Sequence, residues 1–393
     1  MTQPDQNKIE EILLRGVEEV IDREHLKKRL FEGEKLRVKL GIDPTSSHIH
    51  LGRATMLLKL RDFQDLGHQA VLIIGDFTGQ IGDASDKQAE RPMLEKEKVQ
   101  ANLKTYIEQA KKILDIDKTE IVYNSDWLEN LKYQDIIKQS NAFSLAEFIA
   151  RKNIRDRLDK GKSISLRELL YPLMQGYDSV VVKADLELGG TDQRFNLLAG
   201  RQIQQIYNQQ PQDFLTTKLI AGLDGRKMSS SWGNTVNITD QPEDMFGKIM
   251  SMTDDLLIDY FTLCTRVEMD KIINYQDQLT QQKVNPRDIK MDLAYEIVKM
   301  FWSSKDADKA KTHFITVFQK KDLPDQIPQI KIKSENIIDV LVETKLAPSK
   351  GMARRLIEQS GIKINQQIVK SSDQKVHSGD IIQKGKREFI KIK

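Results

Sequence analysis

Residues 40–53 read LGIDPTSSHIHLGR. The segment leaves an apolar run at 36–40, crosses a loop of Gly, Pro and Ser, and enters a helical pattern near His50. A strand, a polar turn and a helix start set free backbone N–H groups and a positive dipole end beside the turn, which suits phosphate. Gly52 lets a flat ligand approach the backbone, and His50 offers a ring donor. Alone, such a loop also fits an ordinary surface turn, so its meaning depends on the surrounding chain.

Working outward, residues 37–41 read as a buried strand and 54–66 as a helix with Met56, Leu57, Leu60 and Phe63 at helical spacing, ended by Gly67. AVLIIG at 70–75 is a second short strand, so the segment is a β-loop-α-β unit of a parallel sheet. It runs into DFTGQIGDASDKQAER at 76–91, a second polar loop. Ligands of such sheets bind beyond the carboxyl ends of the strands, so the two loops share one crevice. Residues 1–35 read as helix. Strands are expected at 119–123 and 180–186, the latter feeding ELGGTDQRFN at 187–196, with helices at 140–157, 166–177 and 197–206. A polar loop at 219–234 holds LDGRKMSSSWGN, and 240–319 is mostly amphipathic helix. Pro324 and Pro328 among charges mark 320–334 as a linker. Beyond it, Ser349 caps a helix at 350–359, Gly361 ends it, and short strands follow with turns at Gly379 and Gly385.

The 393 residues predict two or three domains with ample chain for a core. A single cysteine, Cys264, excludes an intramolecular disulfide framework and fits a reducing compartment. The first 11 residues are polar and charged, so no signal peptide is expected, and the apolar runs at 71–74 and 180–182 are far too short for a bilayer. A cytoplasmic protein without membrane association is expected. Charge is uneven: 331–393 carries 14 Lys and Arg against 7 Asp and Glu, whereas the remainder carries 47 against 51. A basic tail on a slightly acidic body points to a polyanion partner for the tail, or to a solvated lysine surface.

Three motifs in order resemble the bacterial-type tyrosyl-tRNA synthetases, class I aminoacyl-tRNA synthetases, over essentially the whole chain. DPTSSHIHLGR is similar to the family's HIGH signature, LGGTDQRFN to the Gly-Gly-Ser/Thr-Asp-Gln segment of its tyrosine branch, and KMSSS at 227–231 to the KMSKS loop. The resemblance implies an α/β fold: a nucleotide-binding doubly wound parallel sheet at 1–236, a helical anticodon-recognition domain at 237–325, and a linker with a small α+β RNA-binding domain at 326–393. It implies activation of L-tyrosine by ATP to tyrosyl-adenylate and pyrophosphate, then transfer to the 3′ end of tRNA(Tyr), by a homodimer. No metal site or protein-bound cofactor is expected; Mg²⁺ arrives with the ATP.

Attack of a carboxylate on the α-phosphate needs positioning and charge stabilisation more than acid–base chemistry. Donors and cations around a polyphosphate are therefore the residues to seek. By resemblance, Thr45, His50, Lys87, Arg91 and Lys227 stabilise the departing pyrophosphate. Gly52 packs under the adenine with Leu51 and Arg53 beside it, Gly190 and Asp192 hold the ribose, and Met228, Ser229, Ser230 and Ser231 complete the ATP site. Two letters depart from the family pattern. Arg53 replaces the last His of the first signature, and Ser230 replaces the second Lys of KMSKS. Arg53 or Arg226 is therefore expected to supply the missing phosphate contact.

In ELLYPLMQGYD, Tyr171, Gln175 and Asp178 recur at i, i+4 and i+7 on one helix face. By resemblance Tyr171, Gln175 and Asp83 take the α-ammonium of tyrosine, and Asp178 takes the phenol hydroxyl. An acceptor aimed at that hydroxyl rejects phenylalanine, the discrimination for which tyrosyl enzymes are the standing example. In the best-known branch a tyrosine also contacts the phenol from the position that is Lys39 here. SKGMARRLIEQSGIKIN at 349–365 resembles an RNA-binding module shared with a ribosomal protein, which places Lys350, Arg354, Arg355 and Lys363 on RNA phosphates. Arg151 and Lys152 are further tRNA candidates, for the acceptor stem. Competing readings are a tryptophanyl enzyme, a small-metabolite nucleotidyltransferase, and a non-catalytic RNA-binding protein on a synthetase body.

Overall fold

The computed structural model describes residues 5–83, 85, 93–229, 232–319, 327–385 and 388–393. Its contacts divide the chain into two compact units, Met1–Asp308 and Lys309–Lys393. In the first, six strands form one sheet: β1 (Val17–Ile21), β2 (Arg37–Ile42), β3 (Gln69–Ile74), β4 (Thr119–Tyr123), β5 (Leu186–Gly190) and β6 (Asp213–Thr217). Their order is β1-β6-β5-β2-β3-β4. All neighbours are parallel except β1, which runs antiparallel to β6 at the edge. The chain builds outward from β2 to β3 and β4, then returns to the other side of β2 for β5. The switch point lies between β2 and β5, where doubly wound sheets bind ligands.

The central strands are apolar because both faces are covered. In β3, Ala70 to Ile74 are all buried. On one face Val71 and Ile73 pack with Val182 and Ala184; nearby, Phe148, Leu173, Val180 and Ile203 tie three helices together. The Leu166–Val181 helix starts at Ser165 through a capping box with Glu168, whose carboxylate is held by the buried Arg157 at 2.5 Å. Gly176 lets this helix lie against the Arg194–Ile206 helix. A Cβ there would meet Ile203 Cγ1 at 2.9 Å and the Ala199 carbonyl at 3.2 Å.

Two expectations need correction. Residues 1–35 are not all helix, because VEEVI forms β1 between two helices and pairs with β6. Its charged residues suit a helix surface, and only an edge partner some 200 residues away makes it a strand. DFLTT, which lies between the expected helix at 197–206 and the loop at 219–234, is β6 and is buried along its whole length. The expected strand at 180–186 starts only at Leu186, since Val180 and Val181 still close the preceding helix. Tertiary burial there overrides the β preference of the valines.

Helices Pro242–Met250, Leu257–Cys264, Met269–Thr280 and Pro286–Phe301 follow the sheet within the same unit. In the second unit the sheet order is β7-β11-β10-β8-β9, from strands β7 (Gln329–Ile330), β8 (Ile362–Ile364), β9 (Gln367–Ile368), β10 (Ile381–Lys384) and β11 (Glu388–Ile392). It packs on helices Ile337–Glu343 and Lys350–Glu358 around Ile338, Leu341, Ala353 and Ile382. Ser349 caps the second helix as expected, its Oγ accepting from Met352 N at 3.3 Å. The left-handed residue after that helix is Ser360 (φ 57°) rather than Gly361. Among the described residues no helix is long and apolar enough to cross a membrane.

Candidate active site

A cleft of about 420 Å³ opens at the carboxyl ends of β2, β3 and β5. It is lined by residues from all three signatures and from the Leu166–Val181 helix. Thr45, His50, Gly52, Arg53, Asp83, Tyr171, Gln175, Asp178, Gly190, Asp192, Lys227, Met228 and Ser229 all face it. Lys87, Arg91, Ser230 and Ser231 lie outside the described residues. Leu51 does not line the cleft: its side chain is fully buried, and its N–H donates to the Val236 carbonyl at 2.8 Å.

At one end a continuous polar chain surrounds the three-residue helix face. Tyr171 Oη donates to Asp43 Oδ2 at 2.8 Å, and Thr78 Oγ1 donates to Asp43 Oδ1 at 2.8 Å. Asn124 Nδ2 reaches Thr78 Oγ1 at 2.9 Å and Asp178 Oδ2 at 3.3 Å, while Trp127 Nε1 donates to Asp178 Oδ1 at 2.8 Å. Burial raises the Asp178 carboxyl to about 7, against the opposing pull of the Lys39 charge and of the Trp127 and Asn124 donors. Burial and the adjacent Asp43 raise the Tyr171 phenol well above its usual value. Asp43, Asn124 and Trp127 were not singled out from the sequence. Asn124 follows β4 directly, so the rule that ligands sit past strand carboxyl ends was the signal for it.

Gln175 is fixed at both ends: its Nε2 donates to Glu187 Oε1 at 3.0 Å and its Oε1 accepts from Asn196 Nδ2 at 3.1 Å. Asp83 accepts from Ser85 N and Oγ at 2.9 and 2.7 Å and from Gln193 Nε2 at 2.6 Å. Arg151 braces this loop, donating to Ser85 Oγ at 3.0 Å with its guanidinium 4.6 Å from the Phe195 ring centre. It is thus engaged beside the cleft, whereas Lys152 is exposed. Lys39 does not reach the cleft; it is fully buried against Glu187.

At the other end His50 is the N-cap residue of the Leu51–Asp65 helix. Its Nδ1 is buried, with no hydrogen-bond partner among the described residues. Burial, reinforced by Arg53, lowers the imidazole to about 4, so the ring is neutral at physiological pH. Gly52 N–H donates to Met228 Sδ at 3.2 Å, and a Cβ at Gly52 would lie 3.1 Å from the His50 ring and 3.2 Å from that sulfur. Met228 therefore packs on the first signature. A bridge between His50 and Asn237 fixes the chain beyond it. Burial lowers the Lys227 ammonium, opposed by the charge of Asp83. Arg53 holds its own loop, with NH2 on Thr45 Oγ1 at 2.6 Å and NH1 on Tyr106 Oη at 2.6 Å. Arg226 instead pairs with Asp224 at 2.5 Å on the surface, over the Trp232 ring. In the second unit Lys350 pairs with Asp339 at 2.7 Å, Arg354 and Arg355 are exposed on the same helix, and Lys363 lies half-buried on β8. No cluster of His, Cys, Asp or Glu suited to a metal ion occurs among the described residues.

Comparison with known proteins gives a consistent result. The family model for class I tRNA synthetases (W and Y) matches residues 32–319, and that for the tyrosine–tRNA ligase SYY-like C-terminal domain matches 319–392. The tyrosine–tRNA ligase of Dehalococcoides mccartyi is 45% identical over 390 residues, 98% of each chain. That of Thermotoga maritima is 46% identical over 385 residues, 97% of this chain and 96% of its own. Two solved structures share the fold. The C-terminally truncated mitochondrial tyrosyl-tRNA synthetase of Aspergillus nidulans has a TM-score of 0.66 at 19% identity, covering 79% of this chain and 94% of its own. The tyrosyl-tRNA synthetase of Archaeoglobus fulgidus complexed with L-tyrosine has a TM-score of 0.62 at 23% identity, covering 78% and 99%.

Proposed function

The chain belongs to the tyrosine–tRNA ligases of the class I aminoacyl-tRNA synthetases, and from that premise we propose how its residues divide the reaction. The reaction joins tyrosine to tRNA(Tyr) at the expense of ATP. The observation that carries the assignment is Asp178, buried at one end of the cleft between the Trp127 and Asn124 donors. It accepts the phenol hydroxyl of tyrosine, while Tyr171, Gln175 and Asp83 receive the α-ammonium. The carboxylate then lies toward His50 and the helix start, where ATP offers its α-phosphate.

On the ATP side no protein nucleophile is needed. Thr45, His50 and Lys227 stabilise charge on the pyrophosphate as it leaves, with Lys87 and Arg91 from the second loop; Gly190 and Asp192 hold the ribose. His50 does so as a neutral donor. Its N–H on Nε2 serves the cleft, and Nδ1 is left as the buried acceptor. Mg²⁺ enters with the ATP polyphosphate. Met228 over Gly52 supports the closing of the KMSSS loop upon the nucleotide.

Of the two arginines offered for the missing signature charge, the geometry favours Arg53, which lines the cleft and holds Thr45. Pyrophosphate exchange measured with tyrosine is expected to fall about 10-fold for Arg53→Ala, the scale of one charged hydrogen bond. Arg226→Ala is expected to stay within about 3-fold, as an exposed ion pair should. Unchanged exchange in both variants defeats the idea, and exchange with tryptophan in place of tyrosine defeats the substrate assignment.

We further assign residues 237–325 and the C-terminal module to tRNA recognition, with Lys350, Arg354, Arg355 and Lys363 on phosphates, in a cytoplasmic homodimer. Tyr133, Ile137, Leu145 and Leu166 are 64–85% exposed on helices that pack side by side, an apolar face that supports self-association. Leu166→Asp is expected to yield monomers in sedimentation velocity with an unaltered circular dichroism spectrum. A dimer that survives this charge on each subunit rules out that face.

A further inference from the structure

Lys39 and Glu187 face each other across β2 and β5, where the parallel register pairs them directly. Lys39 Nζ is 2.8 Å from Glu187 Oε1, and the two side chains are 0% and 1% exposed. The ammonium also donates to the Gln175 carbonyl at 2.8 Å and to Ser179 Oγ at 2.7 Å. Around the carboxylate the donors converge: Gln175 Nε2 at 3.0 Å, Ser179 Oγ at 3.2 Å, and Gln212 Nε2. Two ions at this depth are costly to desolvate, and a well-packed apolar pair would often hold a sheet as well. Stability therefore does not account for them.

Their geometry does something else. A primary amide has a donor end and an acceptor end, and a carboxylate can only accept. Glu187 therefore selects the Nε2 end of Gln175 and sends Oε1 the other way, to where Asn196 Nδ2 meets it and where Gln175 lines the cleft. Without the Lys39 ammonium, a carboxylate this deeply buried takes up a proton. It then carries an O–H donor, and the Gln175 amide can reverse and turn N–H₂ toward an incoming cation.

We propose that the Lys39–Glu187 pair is a positioning device beneath the tyrosine site, which fixes the amide of Gln175 so that its oxygen faces the substrate α-ammonium. The inference rests on the reading of Gln175 as an ammonium ligand. Lys39 stands where another branch of the family has a phenol-contacting tyrosine, but here its effect passes through Gln175.

The test compares equilibrium binding of L-tyrosine and of 3-(4-hydroxyphenyl)propionate, which lacks only the ammonium, to the full-length protein. Lys39→Met is expected to weaken tyrosine roughly 10- to 100-fold, the range of a charge-assisted hydrogen bond, and the deaminated analogue less than about 3-fold. In Lys39→Met/Glu187→Gln a neutral amide oxygen again accepts from Gln175, and tyrosine binding is expected to return to within about 5-fold of the parent. Equal weakening of both ligands by Lys39→Met, or no recovery in the double variant, overturns the proposal. Should Lys39→Met fail to fold, Ser179→Ala decides alone. It removes one bond from each ion and is expected to cost a few-fold on tyrosine only, whereas equal loss on both ligands rejects the inference. Gln175→Ala separates the premise from the inference. If it weakens both ligands alike, the ammonium reading of Gln175 fails. If it is selective and Lys39→Met is not, only the positioning role falls.

Discussion

Asp178→Asn is expected to lower kcat/KM for tyrosine about 100-fold in pyrophosphate exchange while leaving the small activity with phenylalanine unchanged, so that discrimination falls by the same factor. The loss has two sources. A phenol hydroxyl donating to a carboxylate is worth ~1.5–3 kcal/mol more than an unmade bond, or roughly 10- to 150-fold. The asparagine amide also has one oxygen where the carboxylate offers two, and both are in use by Trp127 Nε1 and Asn124 Nδ2. Asn124 cannot turn to compensate, because its Oδ1 accepts from Phe77 N at 3.0 Å and its Nδ2 serves Thr78. An amide N–H₂ would therefore be set against another donor. Loss of phenylalanine activity in parallel with tyrosine activity would place Asp178 outside the phenol contact.

The same carboxyl makes a pH prediction. Asp178 titrates near 7 in the folded protein against ~3.9 in an unfolded chain, so the native state binds this proton more readily. Its contribution to stability therefore falls as pH rises from about 4 to about 7 and is level above that. Tyrosine affinity should move the opposite way, rising through pH 7 as the acceptor ionises. Both slopes vanish in Asp178→Asn, which thermal melts and binding isotherms at pH 5.5, 7 and 8.5 would reveal.

His50→Ala is expected to reduce the rate of adenylate formation about 100-fold, the scale of one preorganised donor to developing charge, with tyrosine affinity within about 2-fold. Its stability effect differs from that of most buried truncations. The imidazole brings a buried Nδ1 that no described residue satisfies, so removing it is expected to cost less Tm than truncating a hydrogen-bonded buried side chain. Because burial holds the ring near 4, His50 is neutral across the physiological range and contributes no acid limb to the rate between pH 5.5 and 8. Its depressed value means that stability from this group is lost as pH falls from about 6.5 toward 4. An activity that tracks a group titrating near 6.5 and disappears in His50→Ala would contradict the neutral-donor role.

Much of this was legible before any coordinates. The loop at 40–53 is bounded by a strand and a helix whose periods are local, and His50, Gly52 and Arg53 do line the cleft. Tyr171, Gln175 and Asp178 share a helix face by spacing alone, and the structure turns that face to the same cleft. What could not be read was pairing at a distance. Lys39 looked like a gap in a substrate pocket because nothing local reveals that the register of β2 and β5 sets it against Glu187, 148 residues on. Arg53 reads as a phosphate ligand from the sequence, and its additional bonds to Thr45 and Tyr106 emerge only when the helix carrying Tyr106 is packed against the loop.

The sequence by itself determined the order of the three signatures, the parallel unit around residues 40–75 and the helix face shared by Tyr171, Gln175 and Asp178, because these rest on residue type and on periods of 2 and 3.6 within a few turns of chain. Tertiary structure alone decided the edge strand β1, the start of β5, the donors that hold Asp178 and the ion pair beneath Gln175. Each depends on a partner in another strand or helix. A charged or valine-rich stretch takes its conformation, and a buried lysine its purpose, from that partner.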